Sequence, residues 1–265
     1  VIKRFFSKKA KNKYGWFGNF SSWEDACRAT TGYDAGIILE KTRNAILQVK
    51  LGKAVYERDS VVFDKKQYPF PLISFMLHSA IRNKKPLHII DFGGSLGSTY
   101  FQVKEFLHAD VCASWNVIEQ DHYVSCGKSE FEDDTLHFFS SIEECRSVYD
   151  IDFALLSSSV QYLKQPHPFL EKLASFDFKY ILFDRTAFIN EPSDRLTIQN
   201  VPPEIYDASY PSWFFNEHCF MDHFRDRYKV AGEFTSYVEG ETVMFIDDQL
   251  LGYDKGFYLV NKKYA

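Results

Sequence analysis

Leu87-His88-Ile89-Ile90-Asp91-Phe92-Gly93-Gly94-Ser95-Leu96-Gly97-Ser98 is the stretch on which the reading of this chain turns. A short apolar run ending in a carboxylate predicts a buried strand, the glycines force a sharp turn, and a helix follows at once. Glycine lets the backbone turn tightly and lets a ligand lie directly against it. Free amides at the helix start suit the anionic part of such a ligand. The segment predicts an α/β domain that takes a nucleotide-like ligand at the carboxyl end of its first strand.

Spacing separates two ligand classes. A dinucleotide fold wants G-x-G-x-x-G, yet counted from Gly93 the second and third glycine positions hold Ser95 and Ser98. An acid, one residue and then G-x-G-x-G suits S-adenosylmethionine, and Asp91, Gly93, Ser95 and Gly97 fit it with a single Gly-to-Ser change. The register favours S-adenosylmethionine and leaves an NAD-dependent sugar oxidoreductase or epimerase as the alternative. Downstream, Trp115 to Glu119 reads as a second strand ending in an acid where ribose recognition is expected. Glu119 can accept from both ribose hydroxyls, with Gln120 beside it, while Phe139 and Ser140 are placed to border the adenine. Gly94 and Ser157 complete the cofactor wall expected from the strand ends.

Outward from this core, strands are expected at 87–91, 115–119, 136–139, 152–156 and 180–184, alternating with helices, which is the pattern of a parallel sheet with crossovers. Three more, near 230–234, 243–246 and 257–260, close the chain. The first 83 residues read as helical. Ser21 and Glu24 suggest a capping box, Gly32 a stop, Asp34 the next cap, and Pro71 the start of a third helix. Between 185 and about 214 the prolines at 192, 202, 203 and 211 predict a long functional loop, with a helix over 216–228 behind it. The organisation expected is a basic tail over 1–13, a helical cap or lid over 14–83, and a cofactor-binding domain over 84–265 whose segment 185–228 faces the acceptor.

A net charge of −5 argues against a dedicated nucleic-acid binder. The exception is the N-terminal run Lys3, Arg4, Lys8, Lys9, Lys11 and Lys13 beside Phe5 and Phe6, which suits a solvated tail or peripheral contact with an anionic membrane. Five scattered cysteines form no CxxC pair, so neither a disulfide framework nor a zinc site is expected and a reducing cytoplasm fits. Twenty-six Phe and 16 Tyr exceed what a core needs and leave rings for a ligand cleft. The chain opens at Val1 without a methionine, which leaves room for residues upstream.

Trp16-Phe17-Gly18, Gly32-Tyr33-Asp34, Tyr56-Glu57-Arg58-Asp59-Ser60, Asp91-Phe92-Gly93-Gly94-Ser95, Phe183-Asp184-Arg185-Thr186 and Ser209-Tyr210-Pro211-Ser212-Trp213 together resemble the methyltransferases encoded among bacterial O-antigen and capsule biosynthesis genes. The resemblance covers nearly the whole chain after the basic tail. It implies a Rossmann-like class I fold with a mostly parallel seven-stranded sheet and an N-terminal helical extension. It also implies S-adenosylmethionine as donor, a glycan or other small-molecule acceptor, and Tyr56, Arg58 and Asp59 folded over the cofactor as a lid. A non-catalytic partner in a polysaccharide-synthesis complex is the other reading, because no single base stands out.

Methyl transfer to a sugar hydroxyl needs alignment, exclusion of water and a group that takes the hydroxyl proton. Asp184, ending the fifth strand, is the first candidate base, and Arg185 beside it could hold the acceptor. His218, His223 and His167 are weaker candidates. Tyr162 can orient a hydroxyl, and Tyr206, Tyr210 and Trp213 could stack on a sugar ring. Asp184, Glu191 and Asp194 could meet round a divalent cation, but nothing in their spacing requires a metal.

Overall fold

The computed structural model describes residues 12–30, 35–205, 207–238 and 241–265. In chain order, β1 (Gly15–Phe17) and α1 (Trp23–Ala29) precede α2 (Ala35–Lys50), the hairpin β2 (Tyr56–Arg58) and β3 (Val61–Phe63), and α3 (Phe70–Asn83). Strands and helices then alternate: β4 (Leu87–Phe92), α4 (Ser98–Val103), β5 (Cys112–Ile118), α5 (Asp121–Glu130), β6 (Leu136–Phe139), α6 (Ile142–Val148), β7 (Phe153–Ser157), α7 (Pro166–Ser175) and β8 (Tyr180–Ile189). The chain closes with β9 (Arg195–Asn200), β10 (Ser209–Asn216), α8 (Glu217–Asp222), β11 (Tyr228–Thr235), β12 (Met244–Ile246) and β13 (Gln249–Asn261).

Five strands lie parallel in the order β6-β5-β4-β7-β8, and β13 pairs antiparallel with both β8 and β11. Along these seven strands the order is third, second, first, fourth, fifth, seventh, sixth, with only the seventh reversed. A dinucleotide fold would instead run third, second, first, fourth, fifth, sixth. The fold is the Rossmann-like, mostly parallel class I arrangement. Its strands bury both faces, so successive side chains serve opposite layers. Ile89, Leu155 and Leu182 pack with Met76 of α3 and Val124 of α5, whereas Ile90, Leu156 and Phe183 pack with Ile142, Leu170 and Phe220 from α6, α7 and α8.

Four further strands, β1, β9, β10 and β12, of which only β12 was expected, join in a ring that the sequence did not reveal. Beyond Asp184, β8 continues to Ile189 and pairs with β10 on one side and β13 on the other. From β10 the pairing runs to β9, β1, β12 and back to β13, so six strands close a ring at the carboxyl end of β8. Ala187, Ile189, Phe214, Met244 and Ile246 form its core, with Trp16 and Leu251 against them. Gly252 is required there, because a Cβ at that position would fall 2.4 Å from the Phe214 ring.

The long loop expected over 185–214 is therefore mostly strand. Pro211 masked this, yet it sits opposite Ile198 of β9, and β8 meets the other edge of β10 only at Phe215 and Asn216, so the missing N–H breaks no ladder. The helix expected over 216–228 stops at Asp222, and Tyr228 already pairs with Asn261. Within the first 83 residues, 15–17 is a strand of the ring and 56–63 a hairpin whose turn residues, Asp59 and Ser60, both have positive φ. The cap of α1 is one residue later than read: the Ser22 hydroxyl accepts the Asp25 amide at 3.1 Å, and Glu24 instead pairs with Lys164 at 2.6 Å. Gly32, Asp34 and most of the basic tail lie outside the described residues. Among the described residues no helix is long and apolar enough to cross a membrane.

Candidate functional site

At the carboxyl ends of β5, β4, β7 and β8 lies a cavity of about 890 Å³. The glycine turn forms one wall. Gly93 and Gly97 adopt left-handed backbone, with φ of +72° and +89°, and Ser95 does so at +56°. Asp91 is buried beneath the turn, where Trp115 Nε1 donates to its Oδ2 at 3.0 Å. Gly94 rests directly on that carboxyl: a Cβ at 94 would lie 2.5 Å from Asp91 Cγ, and one at 93 would lie 2.6 Å from Ser159 Cβ. Burial pushes the Asp91 carboxyl up to about 7, against the lowering effect of the Trp115 bond.

Asp91, Gly93, Gly94, Ser95, Glu119, Gln120, Ser140 and Ser157 all line this cavity. Glu119 accepts the Gln120 amide at 2.9 Å, and burial raises its carboxyl above the ordinary range. Ser140 has its hydroxyl committed to Asp121 Oδ1 at 2.7 Å. Gly97 caps α4 without reaching the cavity, and Phe139 packs against Tyr149 in the core layer of α6 and α7. Tyr56 is likewise behind the wall, stacked on Phe63 at 4.7 Å, whereas Arg58, Asp59 and Ser60 of the same hairpin line the cavity. Sequence reasoning missed Glu57, Ser98, Thr99 and Gln102, which line it too.

At the other wall, the Ser157 hydroxyl donates to Asp184 Oδ2 at 2.8 Å. Asp184 Oδ1 is buried and has no hydrogen-bond partner among the described residues; the same holds for Ser159 Oγ and Gln161 Oε1. Burial raises the Asp184 carboxyl, opposed by the Arg185 charge. Arg185 has its guanidinium committed: Nε donates to Glu241 at 2.8 Å, and Nη2 to Glu241 at 2.7 Å and Asp59 at 2.9 Å. It thus ties β8 to the β2–β3 hairpin. Tyr162 and Tyr210 meet edge to face at 5.4 Å on the wall, with the Tyr162 hydroxyl donating to Gln199 at 3.0 Å. Trp213 lies off the wall, its Nε1 donating to Leu163 O, and Tyr206 is outside the described residues.

The histidines fall elsewhere. His218 sits on an exposed face of α8 near Asp222, and His167 is held between Asp194 at 2.5 Å and His223 at 2.8 Å; none of the three lines the cavity. Of the candidate bases, the cavity contains Asp184. Glu191 and Asp194 are paired with Arg195 and His167 rather than with Asp184.

No protein-family model and no curated protein matches the chain. Solved structures do resemble it. A S-adenosylmethionine-dependent methyltransferase from Clostridium acetobutylicum ATCC 824 shares 8% identity over 71% of this chain and 89% of its own, with a TM-score of 0.43. The N-terminal domain of EvdMO1, solved with SAH and D-fucose, shares 11% over 86% and 97%, with a TM-score of 0.47. Magnesium protoporphyrin IX methyltransferase from Synechocystis PCC 6803, with bound SAM, shares 11% over 87% and 98%, with a TM-score of 0.44. These likenesses are of low score, and the strand order alone establishes the fold.

Proposed function

We propose that this chain is an S-adenosylmethionine-dependent methyltransferase that methylates a hydroxyl of a sugar or glycolipid intermediate in bacterial surface-polysaccharide biosynthesis. The observation that carries this reading is the shared wall of Asp91, the Gly93–Ser95 turn and Glu119 on a sheet whose seventh strand is reversed. The cradle fits the cofactor: any side chain at 93 or 94 would collide with the wall, and Glu119 offers acceptors for a ribose. The reversed strand also counts against the NAD alternative. In this reading residues 14–83 act as cap, 84–265 hold the cofactor, and 185–228 face the acceptor. The acceptor class follows the sequence resemblance and is supported by the polar wall of Ser159, Gln161, Tyr162 and Tyr210. Five free cysteines suit a reducing cytoplasm, with the basic tail touching an anionic membrane.

When bound, the cofactor supplies a methyl group on a sulfonium, a good leaving group. The protein aligns the acceptor and receives its proton. Asp184 suits that role, since Ser157 fixes Oδ2 and Oδ1 is left for the hydroxyl proton. The carboxyl must be ionised to act as base, so turnover should rise as pH climbs through its raised value. Asp184→Asn is expected to lower kcat about a hundredfold or more while cofactor affinity stays within about twofold. Single-turnover assays with labelled methyl donor and a glycoside panel measure this. Undiminished turnover would remove Asp184 from the chemistry.

A further inference from the structure

Glu57, on β2, brings a buried carboxylate to the cavity from the covering hairpin. It is 3% exposed, and Oε1 accepts the Ser60 amide at 2.6 Å. Oε2 is fully buried without a hydrogen-bond partner among the described residues. Arg58, whose charge favours the ionised form, makes no ion pair with it: its guanidinium donates to Gln67 at 2.8 Å and lies over the Phe63 ring at 5.1 Å. Asp91 adds a second buried carboxyl to the same cavity. Burial pushes Glu57 up to about 7, although the Ser98 hydroxyl and Ser60 amide favour its charged form.

A buried acceptor with no partner is costly to leave unmade, and among the described residues no donor, Ser98 included, completes a hydrogen bond to Oε2. The missing group is therefore a hydrogen-bond donor, best a cation, carried by the ligand. In the cofactor reading above, Glu119, at β5's end of the cavity, takes the ribose hydroxyls. A ligand carboxylate would be repelled.

Resting on the cofactor reading above, we propose that Glu57 receives the primary ammonium of the cofactor's amino-acid portion. The hairpin over 56–63 is then part of the cofactor site as well as its cover.

Calorimetric titration of the full chain with S-adenosylhomocysteine, with 5′-methylthioadenosine, which lacks the amino and carboxyl groups, and with decarboxylated S-adenosylmethionine, which keeps the amine, tests this. Glu57→Gln should weaken S-adenosylhomocysteine and the decarboxylated compound by about tenfold or more and leave 5′-methylthioadenosine within about twofold of the parent chain. Retained 5′-methylthioadenosine binding also establishes that the variant folds. Equal losses for all three ligands, or no loss for either amine-bearing one, would overturn the proposal. A parent chain that binds none of the three would sink the cofactor reading itself, and the assignment of Glu57 with it.

Discussion

Ser95 occupies a backbone conformation that glycine adopts without strain and other residues adopt at a cost of about 1–2 kcal/mol. The sequence marks this position as a glycine site carrying serine, and its φ of +56° explains why the motif has glycine there. Ser95→Gly should stabilise the chain by about 0.5–1 kcal/mol, since glycine's extra freedom when unfolded offsets part of the relief. Scanning calorimetry measures it; a lower Tm would mean that the serine side chain supports the turn. Other residue-scale features were hidden. No periodicity tells that Gly93 backs onto Ser159, or that Glu57 faces the cavity, because both contacts join segments far apart in sequence. Asp91 and Glu119 were legible because a strand-ending acid before a turn is a local pattern.

At the scale of elements, the alternating strands and helices from β4 to β8 were readable from short apolar runs. The ring was not, because its strands come from residues 15–17, 186–200, 209–216 and 244–255, and no local signal announces partners so distant. Phe214 fills it, meeting Trp16 edge-on at 5.8 Å and lying over Gly252. Phe214→Ala should cost about 3–5 kcal/mol in urea unfolding, the range for emptying an aromatic site in a packed core. A loss below about 1 kcal/mol would mean that the ring contributes little to the folded state. His218 shows the same limit from the other side: helical spacing could not tell that α8 turns that face to solvent.

Across the whole molecule, the buried carboxyls make stability depend on pH. Glu57 and Asp91 are pushed up to about 7, and Glu119, Asp184 and Asp254 are also raised, each chiefly by burial. Such groups hold protons more tightly folded than unfolded, so their contribution is complete below the ordinary carboxylate range and is lost as pH rises through the folded values. His88 and His223, lowered by burial, oppose this but are fewer. The Tm of the ligand-free chain should fall between about pH 5 and 7.5, and Asp91→Asn should flatten the slope. A Tm that rises across that window would contradict the assignment of buried protonated carboxyls.

The central claim is that the wall built by Asp91, the glycine turn and Glu119 holds S-adenosylmethionine. Calorimetric titration of the full chain with S-adenosylmethionine, S-adenosylhomocysteine and NAD under one set of conditions tests it most directly. Saturable one-site binding of both sulfur cofactors, with no heat beyond dilution for NAD, is the predicted result; tight NAD binding with no response to either sulfur cofactor would contradict it.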